Sequence, residues 1–390
     1  MHPVDVKSRR VLFVGNSALY FIIHRMGLAC ALIDRGYRVE ALLPAPVSME
    51  HREMIANAGI EMHDYPCKPA GINPLAELRT VFALWHFYRD LQPDIVHHLT
   101  VKPALYGGAI SRWLGIKHRI QSIMGLGLLF NSTDVMLRVL RGVLSPAFRY
   151  ALGGCNSILT LENADDRELL RARGCLGENE WPKVEIVPGS GVELNDYDPI
   201  AKPEEPPIVL FAGRLTRPKG IFEFTEAARL VHAKYPVARF VVCGAIVQTG
   251  NPAAVSEACL RAWVDEGAIE WWGHRDDMPS VISRAAVVVL PSYYGEGLPR
   301  ALLEAAAAAR PIITTDTEGC REIGRNGVNG LLVPVGDASA LAEAIIHLLN
   351  DPELRAQMGK EGRRIVTQEF SMEIVLRRML GVYDKLRDQP

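Results

Sequence analysis

Short apolar runs rich in β-branched residues alternate with longer amphipathic segments along the whole chain. This alternation is typical of parallel β-sheets covered by helices. A first series of runs occupies residues 11–14, 38–43, 60–65, 94–98, 119–123, 157–161 and 184–187. A second series occupies residues 208–212, 239–243, 269–272, 287–290, 312–315 and 331–333. The pattern predicts an α/β protein with two parallel sheets, whose ligands bind beyond the carboxyl ends of the strands.

A proline-rich segment separates the two series of strands. Residues 198–207 contain four prolines, which disfavour regular secondary structure. We therefore predict an N-terminal domain over residues 1–198, a linker over 199–206 and a C-terminal domain over 207–370. A chain of 390 residues is long enough for each domain to bury its own core. Residues 371–390 have helical periodicity and are predicted to pack back on the first domain.

Composition and charge exclude several classes of protein. A formal net charge of −2 provides no field for attracting nucleic acid, so we expect no nucleic-acid partner. Asn16, His24 and Arg25 interrupt the first apolar stretch, which makes it unlike a signal peptide or a membrane-spanning helix. The seven cysteines include no C-x-x-C pair, so we expect a reducing, cytoplasmic environment and no structural zinc site.

The most informative segment is PSYYGEGLPRALLE at residues 291–304, where a strand end leads through a glycine-rich turn into a helix. Pro299 suits the first helical turn, because its missing N–H costs nothing there. The free N–H groups and positive dipole end of such a helix can bind phosphate or a polar sugar. The carboxylates of Glu296 and Glu304 can accept hydrogen bonds from a sugar ring and a ribose. By themselves, two such glutamates would more often be a turn residue and a solvated helix residue.

Two more loops of the second half carry polar residues after predicted strands. The segment FAGRLTRPKG at residues 211–220 places Arg214 and Lys219 beside glycines, where their charges can neutralise a diphosphate leaving group. The alternative is a pair of exposed basic residues with no such role. The segment WWGHRDDMP at residues 271–279 offers His274 to a nucleotide, although a solvent-facing turn residue fits the sequence equally well.

Glycines also follow strands of the first half. Gly15 and Asn16 follow the first run, and Gly125 and Gly127 follow the fifth, so the backbone can approach a bound sugar or phosphate there. His98 ends the fourth run and is expected to face the same ligand region, although it could equally be an ordinary loop residue. Neither glycine segment is a G-x-G-x-x-G motif and no GK[ST] loop is present, which argues against a dehydrogenase and a kinase.

The segment at residues 291–304 resembles the Glu-x7-Glu motif of glycosyltransferase family four, including its Glu-Gly-Leu-Pro core. The loops at residues 211–220 and 271–279 resemble matching family segments. This resemblance implies the GT-B fold, in which two Rossmann-like domains face each other across a cleft. It also implies that the donor-binding residues are Gly15, Gly213, His274, Gly297, Leu298, Pro299, Arg300 and Glu304.

The same resemblance implies a mechanism that retains the anomeric configuration without a protein nucleophile. Three catalytic residues follow from it. Arg214 and Lys219 stabilise the departing diphosphate, and Glu296 positions the sugar. Glu304 holds the ribose of the nucleotide.

Three further segments resemble a bacterial branch of that family, the transferases that act on undecaprenyl-diphosphate-linked glycans. They are MGLG at residues 124–127, GINPL at 71–75 and NP at 251–252. At the first of them, many family members instead carry a histidine that contacts the donor sugar. The branch implies a UDP-sugar donor and a lipid-diphosphate-linked acceptor, whose phosphate Lys102 would bind. The implied acceptor-binding residues are Asn16, His98, Lys102, Gly125 and Gly127.

Two remaining features bear on metals and membranes. Asp196 and Asp198 have the spacing of a metal-binding D-x-D motif, but their place just before the linker favours a structural role. We therefore predict that no metal or other cofactor is needed. Residues 134–152 form a predicted amphipathic helix with Arg138, Arg141 and Arg149, which would lie on an anionic membrane or serve as an ordinary domain helix.

Together these features predict a retaining glycosyltransferase that moves a hexose or an N-acetylhexosamine from a UDP-sugar to a lipid-diphosphate-linked glycan. The expected setting is bacterial surface polysaccharide or glycoprotein glycan assembly, at the inner face of the cytoplasmic membrane. Two alternatives remain. A nucleotide-sugar epimerase of the same architecture would need acid and base residues but no second substrate, and a non-catalytic module would bind the nucleotide sugar without turnover.

Overall fold

A computed structural model describes residues 9–68, 73–126, 130, 135–177, 183–246, 253–293 and 297–387. The chain divides into two compact units. The first comprises Met1–Ser190 with Val375–Pro390, and the second comprises Gly191–Ile374. Each unit is built on one parallel sheet, and every apolar run that predicts a strand forms one. No helix in the described part of the chain is both long enough and apolar enough to cross a bilayer.

The first unit has a seven-stranded parallel sheet in the order β3-β2-β1-β4-β5-β6-β7. Its strands are β1 Arg10–Val14, β2 Arg38–Pro44, β3 Glu61–Tyr65, β4 Ile95–Leu99, β5 His118–Ile123, β6 Ser157–Leu161 and β7 Lys183–Ile186. Its helices include Ala18–Asp34, Met49–Asn57, Pro74–Leu91, Val101–Trp113, Val135–Leu152 and Ala164–Ala172. Because the strand order reverses between β1 and β4, the loops after these two strands diverge and leave room for a ligand.

The second unit has a six-stranded parallel sheet in the order β10-β9-β8-β11-β12-β13. Its strands are β8 Ile208–Ala212, β9 Arg239–Cys243, β10 Glu270–Gly273, β11 Ala285–Leu290, β12 Ile312–Thr315 and β13 Gly330–Val333. Its helices include Ile221–His232, Glu257–Asp265, Met278–Arg284, Arg300–Ala307, Cys320–Ile323, Ala338–Asn350 and Pro352–Ile365. The order reverses between β8 and β11. Two parallel sheets covered by helices confirm the predicted pair of Rossmann-like domains.

The division between the units lies earlier in the chain than the proline-rich segment. Val192 exchanges backbone hydrogen bonds with the 370–372 segment, with N–H to Phe370 O at 3.1 Å and from Met372 N–H at 3.0 Å. Tyr197 is buried in the core of the second unit. Within the predicted linker, Glu204 accepts a hydrogen bond from Arg284 Nε at 2.6 Å. Residues 191–206 are therefore attached to the second unit, and the prolines do not mark the boundary.

The C-terminal helix Met372–Arg387 leaves the second unit and packs into the first. Its buried face belongs to the same core as strand β1 and comprises Val375, Met379, Val382, Tyr383 and Leu386. The Tyr383 hydroxyl is 2.8 Å from His97 Nδ1, which ties the helix to β4. Apolar residues at helical spacing thus make this helix part of the first unit's core.

Candidate functional site

A cavity of about 440 Å³ opens in the second unit beyond the carboxyl ends of β8, β9 and β10. The loops after these strands and the start of the helix Arg300–Ala307 form its walls. The predicted donor-side residues that line it are Gly213, Arg214, His274, Arg300 and Glu304. The structure therefore brings together side chains from three segments that are far apart in the sequence.

Backbone packing joins the loop after β8 to the segment after β11. Gly220 has a φ of +76°, and a Cβ added to it would lie 2.1 Å from Pro291 O. The N–H of Tyr293 donates to Pro218 O at 2.8 Å. Only glycine allows this approach, because a side chain would be strained at that φ and would collide with a carbonyl. The contact holds the basic loop beside the start of the Glu-x7-Glu segment.

The two basic residues of this loop differ in exposure. Arg214 is exposed and lines the cavity, and no described residue pairs with its guanidinium. Lys219 ends the short 3-10 helix Arg217–Lys219 and is half-buried. An exposed guanidinium in a cavity can bind a diphosphate oxygen through two N–H groups at once.

Glu304 lies on the inner face of the helix Arg300–Ala307 and is only 7% exposed. Arg300 Nε donates to Glu304 Oε1 at 2.7 Å, which holds the carboxylate against the cavity wall. The interpretation of Glu304 as a solvated helix residue is therefore wrong. Pro299 precedes the helix at its N-cap, with an extended ψ of 115°, rather than occupying the first turn as predicted.

Tyr197 is a neighbour of Glu304 that sequence reasoning missed. Its side chain is buried, and burial together with the negative charge of Glu304 raises the pKa of the Tyr197 hydroxyl above its usual range. The hydroxyl therefore stays protonated and able to donate a hydrogen bond. The available signal in the sequence is the aromatic residue between the two acidic residues of the Asp-Tyr-Asp segment.

The segment after β10 forms another wall of the cavity. His274 is exposed, and its Nε2 atom lies 3.2 Å from Asp276 Oδ1. Arg275 makes a two-pronged ion pair with Asp277, at 2.7 and 2.6 Å. The indole N–H of Trp271 donates to Gly244 O at 3.0 Å, which fixes the base of the segment. His274, a predicted donor-binding residue, and its neighbour Arg275 both line the cavity.

Several predicted residues lie outside the residues that the structure describes. These are Glu296, Gly127 and the segments 71–72 and 251–252, although Asn73 and Leu75 of the GINPL segment are described. Gly297 and Leu298 are half-buried and stand directly before the helix Arg300–Ala307. The described part of the motif therefore begins just after the predicted catalytic glutamate.

In the first unit, Gly15 and Asn16 follow β1 as predicted from the sequence. Gly15 is buried, and its carbonyl accepts a hydrogen bond from the Tyr65 hydroxyl at 2.8 Å. Gly125 follows β5 with a φ of +76°, a conformation that favours glycine. Lys102 Nζ lies 2.7 Å from Glu77 Oε1, so its charge is partly neutralised within the protein.

His98 does not face a ligand site. The strand β4 continues to Leu99, so His98 lies inside the sheet and is 0% exposed. Its Nε2 is 2.8 Å from the Tyr88 hydroxyl, and burial, reinforced by the charge of Arg119, lowers the pKa of His98 to about 3. A neutral, fully covered imidazole cannot contact an acceptor directly, so the prediction that His98 binds the acceptor is wrong.

A polar cluster at the carboxyl edge of the first sheet was not predicted. His24 Nδ1 is 2.7 Å from Ser190 Oγ, and Arg25 Nη2 donates to Met124 Sδ at 3.1 Å. Tyr20 also contacts Met124 through its hydroxyl. In the sequence, His24 and Arg25 stand out only as polar residues that interrupt an apolar stretch. Their position beside Met124 makes them candidates for shaping the ligand region of this unit.

The Asp-Tyr-Asp segment is a turn in the structure. Asp196 ends the 3-10 helix Leu194–Asp196, and Asp198 Oδ1 accepts the N–H of Ile200 at 2.9 Å. A separate group of possible metal ligands consists of Glu40, Glu61 and His63. These residues lie near the amino-terminal ends of β2 and β3 in the first sheet. Its two glutamates are ion-paired with arginines, in the Arg10–Glu40 contact of 3.1 Å and the Arg38–Glu61 contact of 2.7 Å. Asp198, Glu40 and Glu61 thus have partners within the protein.

Comparison with protein families and known proteins gives matches in both halves of the chain. Residues 10–160 match the family model described as Glycosyl transferase 4-like, and residues 194–365 match Glycosyl transferases group 1. A relative from Campylobacter jejuni, named N,N'-diacetylbacillosaminyl-diphospho-undecaprenol alpha-1,3-N-acetylgalactosaminyltransferase, is 27% identical, and the match covers 97% of this chain and 99% of the relative. The alpha-D-kanosaminyltransferase of Streptomyces kanamyceticus is 26% identical over 73% of this chain and 74% of its own length.

Solved structures of similar fold cover nearly the whole chain. Sucrose-phosphate synthase from Thermosynechococcus elongatus superimposes with a TM-score of 0.76 at 20% identity, over 97% of this chain and 99% of the other. The Anabaena protein HepE, solved in complex with UDP, superimposes with a TM-score of 0.73 at 17% identity, over 96% of this chain and 100% of the other. At these identities the likeness concerns the fold.

Proposed function

Because this chain belongs to the family-four glycosyltransferases and has their GT-B pair of Rossmann-like units, we propose that it transfers a sugar from a UDP-sugar to a lipid-diphosphate-linked glycan. The transferred sugar is a hexose or an N-acetylhexosamine. The observation that carries this proposal is the cavity of the second unit, in which an exposed Arg214 and a buried Glu304 face one space. The relative from Campylobacter jejuni supports the acceptor class, and the UDP complex of HepE supports the donor class.

The proposed reaction assigns one task to each charged group. Glu304 accepts hydrogen bonds from the ribose hydroxyls, and Arg214 with Lys219 binds the diphosphate. The bond between the sugar's anomeric carbon and the phosphate oxygen breaks while the acceptor hydroxyl oxygen forms a new bond on the same face. The hydroxyl proton passes to the departing phosphate oxygen. Configuration is thus retained, and Glu296 positions the sugar without bonding to it covalently.

Glu304→Gln should raise the dissociation constant for UDP roughly ten- to hundredfold, because a charge-assisted acceptor for the ribose is lost. Isothermal titration of folded protein with UDP measures the change. The matched control is Glu257→Gln, since Glu257 is an exposed glutamate of the same unit that also pairs with an arginine one helical turn away. A dissociation constant equal to that of the unmodified protein would remove Glu304 from the nucleotide site.

Transfer should continue at its full rate in excess EDTA. Arg214 and Lys219 supply positive charge where other transferases use a divalent cation on the donor diphosphate. The rate is measured as UDP release with and without EDTA, and then after Mg²⁺ is added back. Loss of activity in EDTA that Mg²⁺ restores would contradict the proposal and return Asp196 and Asp198 to consideration as metal ligands.

The first unit carries two exposed apolar stripes that support peripheral contact with a membrane. The helices Pro74–Leu91 and Val135–Leu152 both pack against Val101–Trp113, so they flank it on one side of the sheet. Their exposed apolar residues are Leu75, Leu78 and Phe82 on one helix and Val135, Met136, Val139, Leu140 and Val143 on the other. A lipid-linked acceptor stays in the bilayer, so its transferase must work at the inner surface of the cytoplasmic membrane.

The basic residues of the helix Val135–Leu152 are arranged differently from the prediction. Arg138 and Arg149 are exposed, but Arg141 is only 4% exposed and donates to Phe130 O inside the unit. The prediction that three arginines face anionic lipid is therefore wrong for Arg141. The stripe of exposed apolar residues, rather than a basic face, carries the proposed contact.

Replacing Phe82, Val139 and Val143 with serine should weaken binding to anionic lipid vesicles at least tenfold. Each buried apolar side chain contributes about 1.5–3 kcal/mol when it is fully removed from water, and partial insertion gives part of that. Co-sedimentation with vesicles measures the effect. Ile200→Ser is the control, because Ile200 is an exposed apolar residue of the other unit. Equal sedimentation of the triple variant and the unmodified protein would rule out these stripes as the contact.

A further inference from the structure

A second cavity, of about 290 Å³, lies in the first unit at the amino-terminal edge of β5 and β6. The ends of two helices and the turn before β6 line it. Its residues are Arg112, Pro146, Arg149, Tyr150, Gly153, Gly154, Cys175 and Gly177. The glycines considered for the acceptor follow the carboxyl ends of strands, so this cavity is at the opposite edge of the sheet. Nothing in the proposed transfer reaction uses it.

A buried cation lies directly beneath the turn that lines this cavity. Arg119, the second residue of β5, is only 4% exposed and donates from Nη2 to Gly153 O at 2.9 Å. Its Nη1 is buried and has no hydrogen-bond partner among the described residues. Gly154 has a φ of +107°, and a Cβ there would lie 2.3 Å from Arg119 Nη2. The turn can therefore rest on the guanidinium only because Gly154 lacks a side chain.

A second guanidinium converges on the same glycine. Arg112 Nε is 3.9 Å from the position of a Cβ on Gly154. Arg112 Nη1 donates to Tyr150 O at 2.7 Å, and its guanidinium stacks 4.5 Å from the centre of the Tyr150 ring. These contacts fix the head of Arg112 at the cavity wall. Arg149, exposed at the end of its helix, adds a second positive charge to the lining, above the buried Arg119.

The charges around this cavity are not balanced within the described part of the chain. No carboxylate described in the structure forms an ion pair with Arg112, Arg119 or Arg149. Burial, together with the like charge of Arg112, lowers the pKa of Arg119 to about 10. Basic residues at helix ends commonly offset the helix dipole, which accounts for Arg112 and Arg149 but not for a buried arginine in a strand. An anion in the cavity would relieve the repulsion.

We propose that this cavity binds a phosphate group through Arg112, Arg149 and the charge of Arg119. Guanidinium groups bind phosphate through paired N–H donors, and a phosphate monoester carries the double negative charge that offsets several arginines. The same group is presented by a free phosphorylated metabolite and by a monoester lipid headgroup. The cavity is thus a binding site separate from the donor cavity of the second unit.

The first test is a calorimetric titration with inorganic phosphate at constant ionic strength, using the full chain with Arg214→Gln to disable the donor cavity. We expect saturable binding that weakens at least tenfold in Arg112→Gln and in Arg149→Gln, because each loses a charge-assisted contact. Arg149 is exposed and Arg112 is half-buried at a helix end, so these variants should fold. Arg79→Gln, which changes an exposed arginine on another helix of the same unit, should bind phosphate unchanged. Absence of saturable binding, or binding by both cavity variants as tight as that of the parent Arg214→Gln protein, would overturn the proposal.

The second test separates the two sources of phosphate with vesicles containing phosphatidic acid or phosphatidylglycerol. If Arg112→Gln binds phosphatidic acid vesicles more weakly than the unmodified protein does, but binds phosphatidylglycerol vesicles equally well, the ligand is a monoester headgroup. Unchanged vesicle binding with weakened phosphate binding identifies a free metabolite, and it supports the proposal equally. If Arg112→Gln changes neither measurement, the cavity does not bind phosphate. These outcomes do not depend on sugar transfer, because no donor or acceptor is present.

Discussion

Arg214→Gln should lower the turnover number of sugar transfer roughly a hundredfold or more, while weakening UDP binding less than tenfold. In the proposed reaction, the Arg214 guanidinium interacts most strongly with the diphosphate when the bond to the sugar breaks and negative charge develops there. Steady-state kinetics with a UDP-sugar and a lipid-diphosphate glycan give the turnover number, and titration gives the dissociation constant. An effect on turnover that exceeds the effect on binding identifies stabilisation of the transition state.

Two further variants sharpen the Arg214 experiment. Arg214→Lys keeps the charge but loses the two-pronged geometry, so its turnover should lie between those of the unmodified protein and Arg214→Gln. Arg261→Gln removes an exposed arginine of the same unit that pairs with Glu257, and it should leave turnover unchanged. Normal turnover in Arg214→Gln would show that the leaving group is stabilised elsewhere.

Gly220→Ala should lower the free energy of unfolding of the second unit by about 3 kcal/mol, the sum of backbone strain and a steric collision. Gly267→Ala is the matched control, because Gly267 has a φ of +75° but no atom lies within 4 Å of its added Cβ. Gly267→Ala should lower the free energy of unfolding by only about 1 kcal/mol, because backbone strain is its only cost. Hydrogen exchange of peptides from β8 and β11 reports the local free energy.

The comparison of the two glycines isolates the contact between the motif loops. Both positions share the left-handed conformation, so the difference between the variants measures the collision with Pro291 O. Turnover should fall sharply in Gly220→Ala, because the loop that carries Arg214 can no longer pack closely against the start of the Glu-x7-Glu segment. Equal exchange rates in the two variants would show that this close approach does not stabilise the loops.

The strands and the grouping of residues at the cavity of the second unit were predictable because they depend on local patterns and on topology. A run such as Ile208–Ala212 is apolar, contains β-branched residues and is followed by glycine. It can therefore be recognised as a strand from its own sequence, without knowledge of the strands that pair with it. Arg214, His274 and Glu304 could be placed together because the carboxyl ends of parallel strands meet at one edge of the sheet. The grouping thus follows from topology once the strands are known.

The remaining features depend on contacts between distant residues. The unit boundary is set by the hydrogen bonds of Val192 with the 370–372 segment, which no local pattern reveals. His98 differs from a loop residue only because β4 runs one residue further, and strand ends are the least certain part of any pattern. Arg141 turns inward to a carbonyl, and Arg119 is covered by a glycine turn. In each case tertiary packing decides what the side chain faces.

The most direct test of the central proposal is mass spectrometry of the lipid-linked product after the protein is incubated with a UDP-sugar and an undecaprenyl-diphosphate glycan. We expect the glycan to gain the mass of one hexose or one N-acetylhexosamine, and UDP to be released only when the acceptor is present. Conversion of the UDP-sugar to its epimer without acceptor would instead identify an isomerase. Tight UDP-sugar binding with no change in the lipid-linked glycan, across the UDP-sugars tested, would contradict transfer.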